Sequence, residues 1–243
     1  MSRIAVLSDI HSNLQALTAV WERMTDIGID AVYCLGDIVG YGARPVECLQ
    51  MIRDNDVTCV QGNHDALTAD GSLNLDFNIY SRAAVEHNRA ALDEESLSWL
   101  AALPTSHRLD SKTLFVHGAP DNRDRYLVYL DDLQEVSDHV MDVDGPGVCF
   151  FGHTHHPVIF DGHSFERVRQ PTVSLVPDRR NLVNPGSVGQ PRDNDPRASF
   201  LWWDRQSLVL NYERVEYDIA SARQDILDAD LPRILGDRLL EGR

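Results

Sequence analysis

The sequence predicts an α/β protein: one domain of two stacked sheets with helices on the outside. Three observations carry this expectation. The first third of the chain alternates short apolar runs with helically spaced ones, in the order β-α-β-α-β. That order implies a parallel sheet with crossover helices. From Pro157 onward the text turns strand-rich, and no Ser/Gly-rich or Pro-rich linker separates the two parts. Residues 1–243 are therefore expected to form a single domain.

The elements follow in order. "RIAVLSD" reads as a short buried strand ending at Asp9. "SNLQALTAVWERMTDIG" places Leu14, Leu17, Val20 and Met24 at helical spacing, with Gly28 as a stop. "DAVYCLGD" is a second strand ending at Asp37, "PVECLQMIRD" a helix, and "VTCVQGNHD" a third strand with a polar end. Residues 78–102 read as helix in two pieces. "TSHRLD" and "KTLFVHG" form a hairpin about Asp110 and Ser111. "DDLQEVSDHVM" is a helix and "GVCFFGH" a buried strand. "PVIFDGHSFERV" is a hairpin turning at Asp161-Gly162. "TVSLV", "NLVNPGS", "ASFLWWD" and "SLVLNYERV" continue the strands. "YDIASARQDILDA" is a closing helix, followed by a short amphipathic end. Trp202 and Trp203 are adjacent, so in a strand they face opposite ways and at least one enters the core.

Composition is that of an ordinary globular chain, but the net charge is -16. This weighs against stable nucleic-acid binding, which needs clustered Lys and Arg. It leaves room for a phosphate-bearing substrate, because bound metal reverses the local field. The start shows no signal-peptide pattern, and no apolar run approaches membrane-spanning length. Cys34, Cys48, Cys59 and Cys149 form no C-x-x-C pair and read as small buried hydrophobes. The expectation is a cytoplasmic protein with no membrane partner.

Five strand ends share one character: SDIH, GDIVG, GNHD, VHG and FGHTH. Functional side chains of parallel α/β sheets collect at the carboxyl ends of strands, so these five can converge. They supply Asp9, His11, Asp37, Asn63, His64, His117, His153 and His155. Taken singly, a strand-end Asp is a helix cap and a lone His a structural group. Together they form an oxygen-and-nitrogen donor set larger than one ion needs. It suits two borderline cations such as Mn, Fe, Zn or Co. Two such ions lying about 3.5–4 Å apart can clamp the attacking and leaving oxygens of a phosphoryl displacement. In an extended "HTHH" segment, His153 and His155 face one side and His156 the other.

The ordered set D-x-H (Asp9, His11), G-D (Gly36, Asp37), G-N-H-D (Gly62 to Asp65), V-H-G (Val116 to Gly118) and G-H-T-H (Gly152 to His155) resembles the calcineurin-like metallophosphoesterases. "NPGSVGQPRD" is similar to their compact bacterial and archaeal phosphodiesterase branch. The resemblance implies a four-layer α-β-β-α sandwich with two mixed sheets. It implies that Asp9, His11, Asp37 and His155 hold one metal. Asp37, Asn63, His117 and His153 would hold the second, with Asp37 bridging. The ions would be Mn, Fe, Zn, Co or Ni, with a bridging hydroxide as nucleophile. His64 would sit by the scissile phosphate as an imidazolium, with Asp65 orienting it or capping the next turn.

The chain departs from the protein Ser/Thr phosphatases of that superfamily, which carry Arg after G-D and end the third motif in Glu. Here the text is "GDIVGYG" and "GNHD". Arg192 is the candidate to bind phosphate in place of that Arg, with Arg44, Arg123 and Arg125 behind it. Tyr41 is a candidate to stack on a base or leaving group, or to pack. "NPGSVG" either donates backbone N–H groups to the ligand or forms a tight turn. His87, His107, His139 and His163 read as surface or structural.

The expected activity is hydrolysis of small or nucleotide phosphodiesters or phosphoanhydrides, dinucleoside polyphosphates among them. The alternatives are a protein phosphatase or phosphomonoesterase on the same site, a non-catalytic scaffold, and a DNA nuclease. The filled donor positions weigh against the scaffold, and the charge against the nuclease.

Overall fold

The computed structural model describes residues 3–71, 78–140 and 147–243, without the side chains of residues 139 and 140. The expectations for the His139 side chain and for Met141 lie outside the described residues. Among the described residues, twelve strands form two six-stranded sheets. The first contains β1 (Arg3–Leu7), β2 (Ala31–Cys34), β3 (Thr58–Cys59), β9 (Thr172–Ser174), β11 (Ala198–Asp204) and β12 (Val209–Val215). Its order is β3-β2-β1-β11-β12-β9. β1, β2 and β3 run parallel, and β11 pairs antiparallel with β1. The second contains β4 (Ser106–Asp110), β5 (Thr113–Val116), β6 (Val148–Phe150), β7 (Pro157–Phe160), β8 (Phe165–Arg167) and β10 (Asn181–Pro185). Its order is β4-β5-β6-β10-β7-β8, with β5, β6 and β10 parallel.

The period-2 alternation of strand side chains builds the layers. Ile4 and Val6 of β1 pack with Phe115, Phe150 and Val183 of the second sheet, so the two sheets meet face to face. Ala5 and Leu7 point the other way, onto Leu17, Val20, Cys48 and Leu49. These last belong to α1 (Leu14–Ile27) and α2 (Pro45–Asp54). On the far side, Val116, Cys149 and Leu182 pack against Leu133 of α6 (Leu130–Glu135). The expected α-β-β-α order is thus present, with both sheets mixed. Trp203 is buried between the sheets, and Trp202 is half-buried against the helical layer. All four cysteines are buried and free. Among the described residues no helix is long and apolar enough to cross a membrane.

Gly28 ends α1 in the left-handed region at φ 73° and donates to the Met24 and Thr25 carbonyls. Two helices, α4 (Ile79–Ala91) and α5 (Glu94–Ala102), account for residues 78–102. The C-terminal part holds α7 (Ile219–Asp228) and α8 (Arg233–Asp237).

Two expectations need correction. β3 is only two residues long, and the polar text after it starts a helix, α3 (Asn63–Asp70). The Asp65 carboxylate accepts from Gly62 N and caps this helix. Its buried residues are Asn63, His64, Asp65 and Thr68, so no apolar period announces it. The helix expected at 131–141 begins one residue earlier and passes into a π-helical turn at Val136–Val140.

Candidate active site

The loops that leave β1, β2, β3, β5 and β6 bring their polar residues to one place. Asp9, His11, Asp37, His153 and His155 all adopt left-handed backbone, with φ between 50° and 65°. Each such non-glycine residue costs on the order of 1–3 kcal/mol, and clusters of them mark functional sites. The expected extended geometry of "HTHH" is therefore corrected. His153 (φ 65°) and His155 (φ 60°) reach the cluster through kinks, not through a strand face.

Three imidazoles are held by backbone carbonyls. His11 Nδ1 lies 3.1 Å from Val39 O, His117 Nδ1 2.7 Å from Leu35 O, and His155 Nδ1 2.6 Å from Gln190 O. A carbonyl only accepts, so the proton sits on Nδ1 and each Nε2 turns inward. For His11 and His155, burial keeps the pKa well below the usual range, so Nε2 carries a lone pair. These two lone pairs face each other at 3.2 Å. Two acceptors so placed have no proton to share. Asp9 Oδ1 lies 3.3 Å from His155 Nε2 and 3.9 Å from His11 Nε2, and it is buried without a hydrogen-bond partner. Asp9 Oδ2 is occupied by Ser8 Oγ at 2.6 Å and His153 N at 3.1 Å. Burial raises the Asp9 carboxyl to about 7.

Asp37 lies between the two halves of the cluster. Its Oδ1 accepts from His64 N at 2.8 Å. Its Oδ2 is 3.7 Å from His11 Nε2 and 3.4 Å from His117 Nε2. Burial works against its charge, but His117 and His64 hold the pKa well below the usual carboxylate range. His117 Nε2 also lies 3.0 Å from Asn63 Oδ1 and 3.1 Å from His153 Nδ1. Burial lowers its pKa, yet the Asp37 and Asp9 charges outweigh this and raise it to about 9. A proton on His117 thus supplies the positive charge that this half requires.

Three donor groups have ligand atoms within 4.8 Å of one another: Asp9, His11 and His155; His11, Asp37 and His64; and Asp37, His117 and His153. Asp37 is common to the last two. All seven residues expected as ligands come together here, with Asn63 joining through His117. His64 stands as close as they do. Burial lowers its pKa to about 4, which favours the neutral imidazole over the imidazolium.

A rigid frame surrounds the cluster. Asp65 accepts from the backbone N of Asp37, Ile38 and Val39 as well as Gly62, which gives it the capping role. A side chain at Gly62 would run into the Asp37 carboxylate and backbone. "NPGSVG" acts as a brace. Val188 N and Gly189 N donate to Ser8 O and Asp9 O, and Ser187 Oγ also donates to Asp9 O. Those N–H groups are thus used within the chain. Asn88 of α4 accepts from Ser12 Oγ (2.6 Å) and Gly40 N (2.7 Å) and donates to Gly42 O (2.9 Å). Asn88→Ala strands these buried groups. The expected cost is about 3 kcal/mol, or a fall in Tm of roughly 6–12 °C, read by thermal melting. A fall under 2 °C would refute the bracing role.

A cavity of about 370 Å³ opens beside the cluster, lined among others by Tyr41, Asn63, His64, Arg123, Tyr126 and His153. Tyr126 is half-exposed, and its ring centroid lies 3.7 Å from that of His153. Tyr41 is buried, with ring centroids 4.7 Å from His11 and 4.5 Å from His64. It therefore packs and walls the site at once. Arg192 lies over the Tyr41 ring at 5.6 Å. Arg123 reaches the cavity while bonded to Gln61 and Asp124. Arg44 and Arg125 are paired with Glu47 and Glu135. His156 is half-buried with Nδ1 2.6 Å from Thr154 O, and it lines a second cavity of about 580 Å³ that Arg192 shares.

The sequence reading missed Tyr126 and Asn88. Tyr126 lies in text with no period. Asn88 was detectable, since it follows Ala84 and Val85 on the buried face of α4.

Comparison with known proteins agrees with this geometry. Residues 2–207 match the calcineurin-like phosphoesterase superfamily domain. The chain is 39% identical over 250 residues to the uncharacterized protein MJ0912 of Methanocaldococcus jannaschii, covering 100% of this chain and 99% of that protein. It is similar to the crystal structure of a metallophosphoesterase from Sphaerobacter thermophilus, with a TM-score of 0.86, 35% identity and 99% of each chain covered. A hypothetical protein from Pyrococcus horikoshii shares the fold, with a TM-score of 0.83 at 23% identity, over 100% of this chain and 99% of that one. Full-length identity above one third, two stacked mixed sheets and a buried carboxylate–imidazole cluster at their strand ends point the same way: the chain belongs to the calcineurin-like phosphoesterase superfamily and is a hydrolytic phosphoesterase.

Proposed function

We propose that the protein uses two transition-metal ions to hydrolyse small or nucleotide phosphodiesters and phosphoanhydrides, dinucleoside polyphosphates among them. One observation carries the reading: Asp37 Oδ2 sits between His11 Nε2 and His117 Nε2, a single carboxylate oxygen shared by two donor groups. The residues fit cations. The facing lone pairs of His11 and His155 and the unpartnered Asp9 Oδ1 are each satisfied by a positive charge placed among them. Asp9, His11, Asp37 and His155 would hold one ion; Asp37, Asn63, His117 and His153 the other. The mixed N/O set suits Mn or Fe, with Zn, Co and Ni as further candidates. Bound ions of this kind act as Lewis acids toward phosphoryl oxygens and lower the pKa of water.

The chain's own groups supply the rest. An ion held by the second half would have to displace the proton from His117, so metal affinity would rise with pH. His64, neutral and lining the cavity, offers an N–H to the leaving oxygen. Its backbone N holds Asp37 Oδ1, which fixes the direction of Oδ2. Arg192 supplies a guanidinium beside the cluster for a phosphate oxygen. Tyr41 and Tyr126 wall the cavity and can hold a base or aryl group. Contributions from both sheets to one cluster support the reading of 1–243 as one domain. Four free buried cysteines support a cytoplasmic setting.

The test is turnover of bis-p-nitrophenyl phosphate by protein loaded with Mn, Fe, Co or Ni. No turnover with any of them would leave the non-catalytic reading standing. His64→Ala is the companion, expected to lower kcat by about a hundredfold with metal content retained. Loss of the metals in that variant, measured by elemental analysis, would make His64 a ligand instead.

A further inference from the structure

The second cavity, of about 580 Å³, is built by both sheets. Pro157 opens β7 and Arg167 closes β8 of the second sheet, while Tyr212 and Arg214 belong to β12 of the first. Its size is that of a small-molecule cleft, about 300–1,000 Å³. Its charge runs against that of the chain. The protein carries a net charge of -16, yet arginines outnumber carboxylates along this wall. The wall's carboxylates are already matched. Asp193 pairs with Arg214, Asp195 with Arg197 at 2.6 Å, and Glu213 with Arg23 at 3.0 Å. Among the described residues, this leaves Arg167, Arg169 and Arg192 of the wall without a carboxylate.

Arg167 and Arg169 are exposed and make no hydrogen bond or ion pair among the described residues. Glu166, beside Arg167, is bonded to Gln170 at 2.9 Å instead. The backbone explains why the two arginines share a cavity. Val168 lies between them and is buried between the sheets. Its N–H donates to Pro157 O at 2.9 Å, which ties the segment to the start of β7. With Val168 facing inward, its two neighbours emerge on the other side. Arg192 connects this wall to the cluster. It donates to Gln190 Oε1 at 2.9 Å and to Tyr126, which lines the first cavity. It also lies over the Tyr41 ring. His156, next in the chain to His155, lines the second cavity too. The wall offers guanidinium groups and little ring surface. Tyr212 is buried, with its hydroxyl on Val158 O and Asn184 O. Such a wall recognises phosphate oxygens and not a base.

We propose that the second cavity holds the far phosphates of the substrate, with Arg167 and Arg169 as the charges that select them. Substrates carrying a chain of phosphates are thereby chosen over simple diesters, irrespective of their base. The inference rests on the phosphoesterase reading of the cluster. Arg167 and Arg169 take no part in bond cleavage.

The variant to make carries Arg167→Gln and Arg169→Gln together. In Mn-loaded protein, its kcat/KM for diadenosine tetraphosphate is expected to fall by about tenfold or more, the worth of a charge-assisted hydrogen bond. Its kcat/KM for bis-p-nitrophenyl phosphate should change by less than about twofold, as for other surface substitutions. Diguanosine tetraphosphate should lose as much as the adenosine compound. The control carries Arg53→Gln and Arg233→Gln, which remove the same charge from α2 and α8. It should leave both substrates unaffected. A matching loss in the control, an equal loss on tetraphosphate and diester, or a parent that cleaves the diester but not the tetraphosphate overturns the subsite. Calorimetric titration of the full chain with sodium tripolyphosphate, without added metal, is the second readout. Tripolyphosphate should bind the parent, and the Arg167/Arg169 variant about tenfold or more weakly. No binding to the parent, or equal binding to both, overturns the subsite. If the Mn-loaded parent turns over neither substrate, the phosphoesterase reading of the cluster fails, while the titration still decides the cavity.

Discussion

Asp37→Asn is expected to strip the protein of the two ions proposed for this cluster and to lower diester turnover by about a thousandfold. The substitution is nearly isosteric. Its amide oxygen can keep the bond from His64 N that Oδ1 now accepts, so the start of α3 stays in place. What changes is the oxygen between His11 and His117, which becomes an NH2 group that donates and cannot ligate. Losing the shared ligand removes several kcal/mol of transition-state charge stabilisation, at about 1.4 kcal/mol per tenfold in rate. The metal-free variant should melt close to the parent, because the new N–H groups can bond to imidazole nitrogens. Elemental analysis after gel filtration, turnover of bis-p-nitrophenyl phosphate and a thermal melt check the three parts. Full metal content in Asp37→Asn would end the bridging role.

The second large effect is on stability. A cation that binds the folded chain alone, at a hundred times its dissociation constant, adds about 2.7 kcal/mol. For a chain of this size that raises Tm by roughly 5–10 °C. Mn, Zn or Co should give this rise, and a chelator should reverse it. The expectation follows from what the cluster contains: two opposed imidazole lone pairs and a carboxylate oxygen with no hydrogen-bond partner, all buried. Scanning fluorimetry across the five candidate metals decides the matter. A melting curve that none of them moves would mean that the cluster holds no ion.

Most of the fold could be read from text, because it depends on burial that alternates. Ile4 and Val6 face one layer while Ala5 and Leu7 face another, and α1 repeats its apolar residues at helical spacing. The third helix escaped because its buried residues, Asn63, His64, Asp65 and Thr68, are all polar and leave no apolar period. The donor residues could be named because their side-chain chemistry is specific. The way they reach the cluster could not, since φ near +60° at His153 and His155 leaves no mark on residue type.

The donors divide between the sheets. Asp9, His11, Asp37 and Asn63 follow strands of the first, and His117, His153 and His155 follow strands of the second. His11 and His155 are 144 positions apart, yet their ring nitrogens nearly touch. No fragment of the chain that forms only one sheet can assemble either ion site. Metal therefore cannot nucleate folding from a local segment, as it does where ligands are close in sequence. Bound as proposed, it would arrive late, at a protein already folded, and would act as a bolt across the seam between two independently paired sheets. Pulling the sheets apart would then mean first losing the proposed ions, which would make their release a step in unfolding as well as a way of switching the enzyme off.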